Sequence, residues 1–303
     1  MSAQWTILVF LNAKNDLESF AFPNFAQMAA VGSTPDVNIV VEFGRPTRHW
    51  TDIHGAWSKT LRFHVQKDML PTEAAAMEDL GAVNMGDAET LRNFVAWGRA
   101  TFPAERTMLV IWDHGQGWRA RQATRPSVDP EQSARFVEMR RDILRAGDPS
   151  PATPTTPIER RVPGGLRYVS NDDDTGDKLY NRAIQDALRA ELADQRLDVL
   201  AFDACLMSMV ETAYALRDVS RVMVGSEELE PGMGWNYERW LRPLVDARGQ
   251  VDAAGLARLL VQGFQDEYGD NDQTTLSAVD LASIPALAAA LSAFADTAIP
   301  LLT

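Results

Sequence analysis

Five short, nearly continuous apolar runs constrain this chain more than any other feature: Trp5 to Leu11, Val37 to Phe43, Met108 to Trp112, Leu197 to Phe202 and Arg221 to Val224, with Thr274 to Leu281 as a candidate sixth. A strand with one wet face alternates apolar and polar residues, whereas a strand covered on both faces is apolar throughout. Stretches of helical period separate the runs. Asp87 is a plausible N-cap for a helix carrying Leu91, Phe94 and Val95 on one face. Leu179, Ile184, Leu188 and Leu192 suggest a second helix, and Leu206, Met209, Val210, Ala213 and Leu216 a third that follows Cys205 directly. Two more are expected between Val251 and Leu302, with the candidate last strand between them. Strands alternating with helices predict an α/β fold, a mostly parallel central sheet flanked by helices on both faces.

The 303 residues suit one large α/β domain, 1–303, and 46% hydrophobic with 23% charged residues excludes an intrinsically disordered chain. One segment departs from the alternation. Residues 119–163 hold nine arginines and end in a run rich in Pro, Thr and Ser, from Gly147 to Pro163. That composition predicts an exposed insertion, with one amphipathic helix over Phe136, Val137, Met139, Ile143 and Leu144.

A net charge of -13 repels a phosphate backbone, so nucleic acid is a poor partner, and a cationic ligand or basic peptide fits better. No run approaches the roughly 18 apolar residues of a membrane span, and no basic segment precedes Trp5. The expectation is a cytoplasmic protein without membrane contact, unless a leader has been removed. A single cysteine, Cys205, rules out an internal disulfide and a cysteine-cluster metal site. That thiol is either core filler or chemistry.

Two runs end in a reactive side chain. Leu109-Val110-Ile111-Trp112 leads into Asp113-His114-Gly115, and Val199-Leu200-Ala201-Phe202 leads into Asp203-Ala204-Cys205. Ligands of an open parallel sheet bind beyond the carboxyl ends of its strands. If these two strands are neighbours, imidazole and thiol face each other, as nucleophilic catalysis by a thiolate requires. A helix starting just after Cys205 would lower the thiol pKa. Taken singly, such a cysteine is more often buried filler and such a histidine a satisfied polar side chain. His49, His54 and His64 lack this setting and are expected at surface or core positions.

These residues resemble a known group. An apolar strand ending in His-Gly and a later one ending in Ala-Cys is the pattern of caspases, legumains, gingipains and clostripain-like proteases, and the match is closest to the clostripain family. It runs in order through Trp5–Phe10 with Asn15-Asp16-Leu17-Glu18, then Trp112–Trp118, then Phe202–Met207 with Glu211 and Tyr214, and finally Ser226-Glu227-Glu228 with Pro231–Tyr237. The resemblance implies a caspase-like sheet, a Cys205–His114 dyad and a cysteine endopeptidase cutting after basic residues, arginine before lysine. Asp203 matches the acid that similar proteases use for arginine at the cleaved position. Strand alternation puts Asp203 and Cys205 on the same side, and a carboxylate there could grip a guanidinium bidentately. Glu227 and Glu228 are reserve acids, and Trp235 could wall the pocket. The amides of Gly115 and Cys205 are the candidate oxyanion donors. Two features depart from the family's pattern: Lys14 stands where an acidic residue is usual, and relatives continue further, so an accessory region could be missing or supplied by a partner protein.

An arginine-specific protease with an exposed arginine-rich insertion is expected to cut itself, with Arg160 and Arg161 as candidate sites, and the intact chain could then be a zymogen. Two rival readings belong to other classes. One is a catalytically inactive protease-like scaffold or binding module. The other is a dinucleotide site, because Gly115-Gln116-Gly117-Trp118-Arg119-Ala120 formally fits G-x-G-x-x-A, although an insertion follows instead of a βα unit. The catalytic reading needs no cofactor. Asp172-Asp173-Asp174 with Asp177 could take calcium, but the spacing is not that of an EF-hand loop.

Overall fold

A computed structural model describes residues 2–48, 51–116, 168–269, 271 and 273–299. Ten strands are present among them: β1 (Ala3–Asn12), β2 (Val37–Gly44), β3 (Thr60–His64), β4 (Glu78–Gly81), β5 (Ala104–Trp112), β6 (Tyr168–Asp172), β7 (Asp177–Tyr180), β8 (Leu197–Asp203), β9 (Ser220–Gly225) and β10 (Ser277–Asp280). Eight of them form one sheet in the order β10-β9-β8-β5-β1-β2-β3-β4, and β6 pairs with β7 in a separate hairpin. The five strands from β9 to β2 are parallel, while β10 at one edge and β3 and β4 at the other are antiparallel. All five parallel strands coincide with the continuous apolar runs.

Seven α-helices among the described residues flank the sheet: α1 (Glu18–Val31), α2 (Ala88–Thr101), α3 (Asn181–Leu192), α4 (Val210–Leu216), α5 (Tyr237–Asp246), α6 (Ala253–Tyr268) and α7 (Ile284–Ala298). Strand alternation splits the core into two layers. Trp5, Ile7 and Val9 of β1 face Phe22 and Phe25 of α1, Trp240 and Leu241 of α5 and Leu256 of α6. Leu8 and Phe10 of the same strand face Leu91 and Phe94 of α2, and Ile184 and Leu188 of α3 lie in the same layer with Ala213 and Leu216 of α4. Helices on both faces of a mostly parallel, caspase-like sheet are thus observed.

Local chemistry explains several boundaries. Asp87 caps α2 by accepting the Glu89 amide. Leu179 belongs to β7 instead of the second predicted helix, which begins only at Asn181. The third helix does not follow Cys205 directly: α4 starts at Val210, because Leu206 adopts a left-handed φ of 62° and turns the chain aside. One further expectation needs correction. Leu281–Ala298 is an 18-residue helical stretch of mean hydropathy 1.4, long and apolar enough to cross a membrane by length and composition alone. Alanine supplies much of that length, and Leu287, Leu291 and Phe294 form an exposed stripe on α7. The amphipathic helix expected at 136–144 and the Pro-rich run, within the insertion expected at 119–163, lie outside the described residues, as do His49, Arg160 and Arg161.

Candidate active site

The site follows from one register. β5 and β8 pair in parallel with Trp112 beside Asp203. Each strand leads two residues further, one to His114 and the other to Cys205, so both arrive at the same height on the carboxyl edge of the sheet. Gly115 lets these segments touch. A Cβ there would lie 2.1 Å from the Cys205 carbonyl oxygen and 3.1 Å from its nitrogen. Gly115→Ala should therefore push the two segments apart and cost about 1–3 kcal/mol, as overpacking does. Denaturant unfolding measures this; an unchanged midpoint would mean that the segments part freely.

The β6–β7 hairpin clamps the histidine segment. Gly115 bridges Val169, the Ser170 amide donates to the His114 carbonyl at 2.9 Å, and the Gln116 amide to the Tyr168 carbonyl at 3.2 Å. This bridge leaves the Gly115 amide out of its own pair of hydrogen bonds. Gly115 and Gln116 are therefore extended chain, not the tight turn into a helix that a dinucleotide fingerprint requires.

Asp113, just before the histidine, is buried and collects four donors: the side-chain amides of Asn12 at 2.9 Å and Asn15 at 2.7 Å, and the backbone amides of Asn171 at 2.8 Å and His114. Burial pushes its carboxyl up to about 7 against these donors. Asp113 thereby ties β1, β5 and the hairpin into one unit behind His114. The imidazole Nε2 is 2.7 Å from Asp16 Oδ1. With Asp16 accepting a hydrogen bond from Nε2–H, Nδ1 becomes the ring's acceptor. Neither Asp113 nor Asp16 stood out in the sequence as a site residue, although Asp16 belongs to the Asn15–Glu18 motif. His54 lies against Phe22 and His64 against Phe102, as expected of structural histidines.

Cys205 is largely enclosed. Burial first, and then the negative charge of Glu230, push its thiol up to about 11, against the pull of the Glu230 amide 3.3 Å from the sulfur. The expected lowering by a helix N-terminus is absent, since α4 begins five residues later. At neutral pH the resting group is a thiol.

Asp203 is buried at the end of β8. Its carboxylate accepts the Tyr237 hydroxyl at 2.9 Å and the Trp235 amide at 3.2 Å, and Gly234 lies so close that a Cβ would be 2.8 Å from Oδ1. Trp235 is buried beside it, with its indole N–H toward the Glu230 carboxyl. Of the reserve acids, Glu227 is exposed, and Glu228 contributes its carbonyl, which receives the Leu206 amide at 3.1 Å. The acid brought against Asp203 is Glu230, which the sequence did not single out.

The acidic run is tied down by protein groups. Asp172 is buried and accepts the amides of Met85, Asp174 and Thr175, and the Lys14 ammonium lies 3.4 Å from Asp172 and 3.7 Å from Asp174. Lys14, the departure noted in the sequence, thus supplies a cation inside that run. Among the described residues, no three His, Cys, Asp or Glu side chains are grouped to hold a metal ion.

A cysteine and a histidine ending adjacent strands of this sheet define the class of caspase-like folds. Residues 9–130 and 164–302 match the model of the clostripain family, and the chain belongs to that family. It is 24% identical over 258 residues to clostripain of Hathewaya histolytica, which covers 77% of this chain but only 41% of that protein. Among solved structures it is similar to iotapain, a secreted C11 cysteine protease of Bacteroides thetaiotaomicron, with TM-score 0.64, 19% identity, and 95% of this chain and 69% of that one covered. It is also similar to an inactive zymogen C11 protease of Parabacteroides distasonis, with TM-score 0.60, 17% identity, and 95% and 65% covered.

Proposed function

We propose that this protein is a cysteine endopeptidase that hydrolyses peptide bonds after arginine, with lysine second, using Cys205 and His114. The observation that carries the reading is the β5–β8 register, which delivers thiol and imidazole to one edge at one height. A thiol held near 11 is a poor nucleophile by itself, so its proton must leave as it attacks the carbonyl carbon. His114 takes that proton and later gives it to the departing amine, while Asp16 holds the ring and stabilises the imidazolium. The amides of Gly115 and Cys205 stand ready for the developing oxyanion. Water then hydrolyses the thioester.

Asp203 is the acid for the arginine guanidinium, and Trp235 lines the same pocket. The chemistry needs no metal. Substrates are proteins or peptides with an accessible basic residue, and an accessory protein is the partner this reading leaves room for. A non-catalytic scaffold is the rival. Labelling with an arginyl fluoromethylketone, followed by digestion of a mixed peptide library and sequencing of the new ends, separates the two. A scaffold leaves Cys205 unlabelled and the library intact.

We further propose self-cleavage after Arg160 or Arg161, since a chain that cuts after arginine offers itself an arginine-rich segment. A zymogen is known among the similar structures. Wild type should yield two fragments by mass while Cys205→Ala stays whole. The same cut in the mutant would assign it to another protease, and equal activity before and after cutting would remove the activation step alone.

A further inference from the structure

Every other deeply buried acid among those described here has a cation or a set of donors. Glu18 pairs with Arg45 and Glu42 with Arg62, each at 2.7 Å, and Asp172 has Lys14 and three amides. Glu230 differs. Only 6% exposed, it lies on the loop from β9 to α5, its amide on the Cys205 sulfur and its carboxyl within hydrogen-bonding reach of Asp203. No lysine, arginine or backbone amide donates to its carboxyl; the indole N–H of Trp235 is the donor that lies toward it. Among the described residues, neither Asp203 nor Glu230 has a lysine or arginine partner. A buried carboxyl without a cation is costly to ionise, and two in contact are suited to a cation that arrives from outside.

We infer that Glu230 and Asp203 form a two-carboxylate receptor for the guanidinium of the residue preceding the cut bond, with Glu230 as the element that sets arginine above lysine. This rests on the arginine reading proposed above. A planar guanidinium presents donors along more than one edge and can serve both acids, whereas an ammonium is a single point charge. While the pocket is empty, two touching carboxylates cannot both ionise, so the pair holds a proton. Burial pushes Asp203 up to about 7 and Glu230 well above its ordinary value. The other titratable groups facing the pair are Cys205, Tyr237 and Tyr268, and burial raises each of these, so they remain neutral. Arrival of the guanidinium expels the shared proton to solvent. Affinity for arginine should then rise with pH until the pair loses that proton unaided.

The test is calorimetric titration of the Cys205→Ala protein, in buffers of differing ionisation enthalpy, with one peptide carrying arginine, lysine or neutral citrulline at the cleaved position. At about pH 8 the arginine peptide should release about one proton on binding and the citrulline peptide none. Glu230→Gln should weaken arginine binding on the order of tenfold, draw the arginine-to-lysine ratio toward unity and cut the proton release. Citrulline binding and melting temperature should stay where they were, and Glu230→Asp should restore part of the preference. An unchanged arginine-to-lysine ratio in Glu230→Gln would make Glu230 structural and overturn the inference. If that variant does not fold, the parent protein decides: arginine binding without proton release overturns it as well. A parent that binds citrulline as tightly as arginine would instead sink the arginine reading itself, and this inference with it.

Discussion

Cys205→Ala protein should show no measurable amidolysis, a loss on the order of 10⁴-fold or more, and His114→Ala should lose nearly as much. The losses should not add. Once the thiol is gone there is no proton for the imidazole to take, so the double mutant should fall no lower than Cys205→Ala. The structure adds a reason to expect a steep dependence on His114. A thiol held near 11 by burial and by the Glu230 charge supplies almost no thiolate unaided, so little activity can bypass the base. Folding should survive both changes. The cysteine is lost only as a small side chain at the end of β8, where the Glu230 amide gives up a sulfur acceptor at 3.3 Å. His114 is partly exposed, and its ring bonds Asp16 at the surface. Steady-state hydrolysis of an arginyl amide, read beside thermal melting of each variant, checks this. Amidolysis by folded Cys205→Ala protein near the wild-type rate would end the assignment of Cys205 as nucleophile.

The parallel strands were legible because burial on both faces leaves no room for polar residues, and β1, β2, β5, β8 and β9 spell this out as continuous apolar runs. The antiparallel edge was not. Leu61-Arg62-Phe63-His64 in β3 alternates, because Leu61 and Phe63 face one core layer while Arg62 turns to the opposite face, where it is buried against Glu42, Glu78 and Trp97. Helix α1 escaped for the opposite reason. It is apolar nearly all round and carries Pro23, so no stripe marks a helical period.

The site divides along the same line. His114 and Cys205 were legible because the fold rule for strand ends turns a position in sequence into a position in space. What lies around them depends on loop routes that leave no periodic trace. A left-handed Leu206 moved the helix away from the thiol and let the Leu206 amide reach the Glu228 carbonyl. That contact swings the following loop so that Glu230, instead of the more conspicuous Glu227-Glu228 pair, lies under the sulfur. Asp16 and Asp113 are ordinary acids in the sequence. Their roles appear only when β1 and β5 lie side by side, with Leu11 opposite Trp112.

Asp203→Asn should lower kcat/KM for arginine peptides on the order of 100-fold while leaving the slow cleavage after uncharged residues nearly unaltered. The carboxylate is well placed for this. It ends β8 two residues before the nucleophile, so a guanidinium held there puts the next carbonyl carbon near the Cys205 sulfur. The substitution is also gentle. An asparagine oxygen can still accept the Trp235 amide, and the Tyr237 hydroxyl can turn to accept from the new amide group, so the loop from Gly234 to Tyr237 keeps its anchor. What disappears is the charge. Lysine peptides should lose less than arginine peptides, because an ammonium forfeits one attraction where a guanidinium forfeits a paired set of bonds. Competition between arginine, lysine and citrulline peptides for the same enzyme, read by mass, measures both ratios at once. A mutant that kept the wild-type order and rate would show Asp203 to be only the anchor of Trp235 and Tyr237, and the acid that reads arginine would then have to be Glu230 alone.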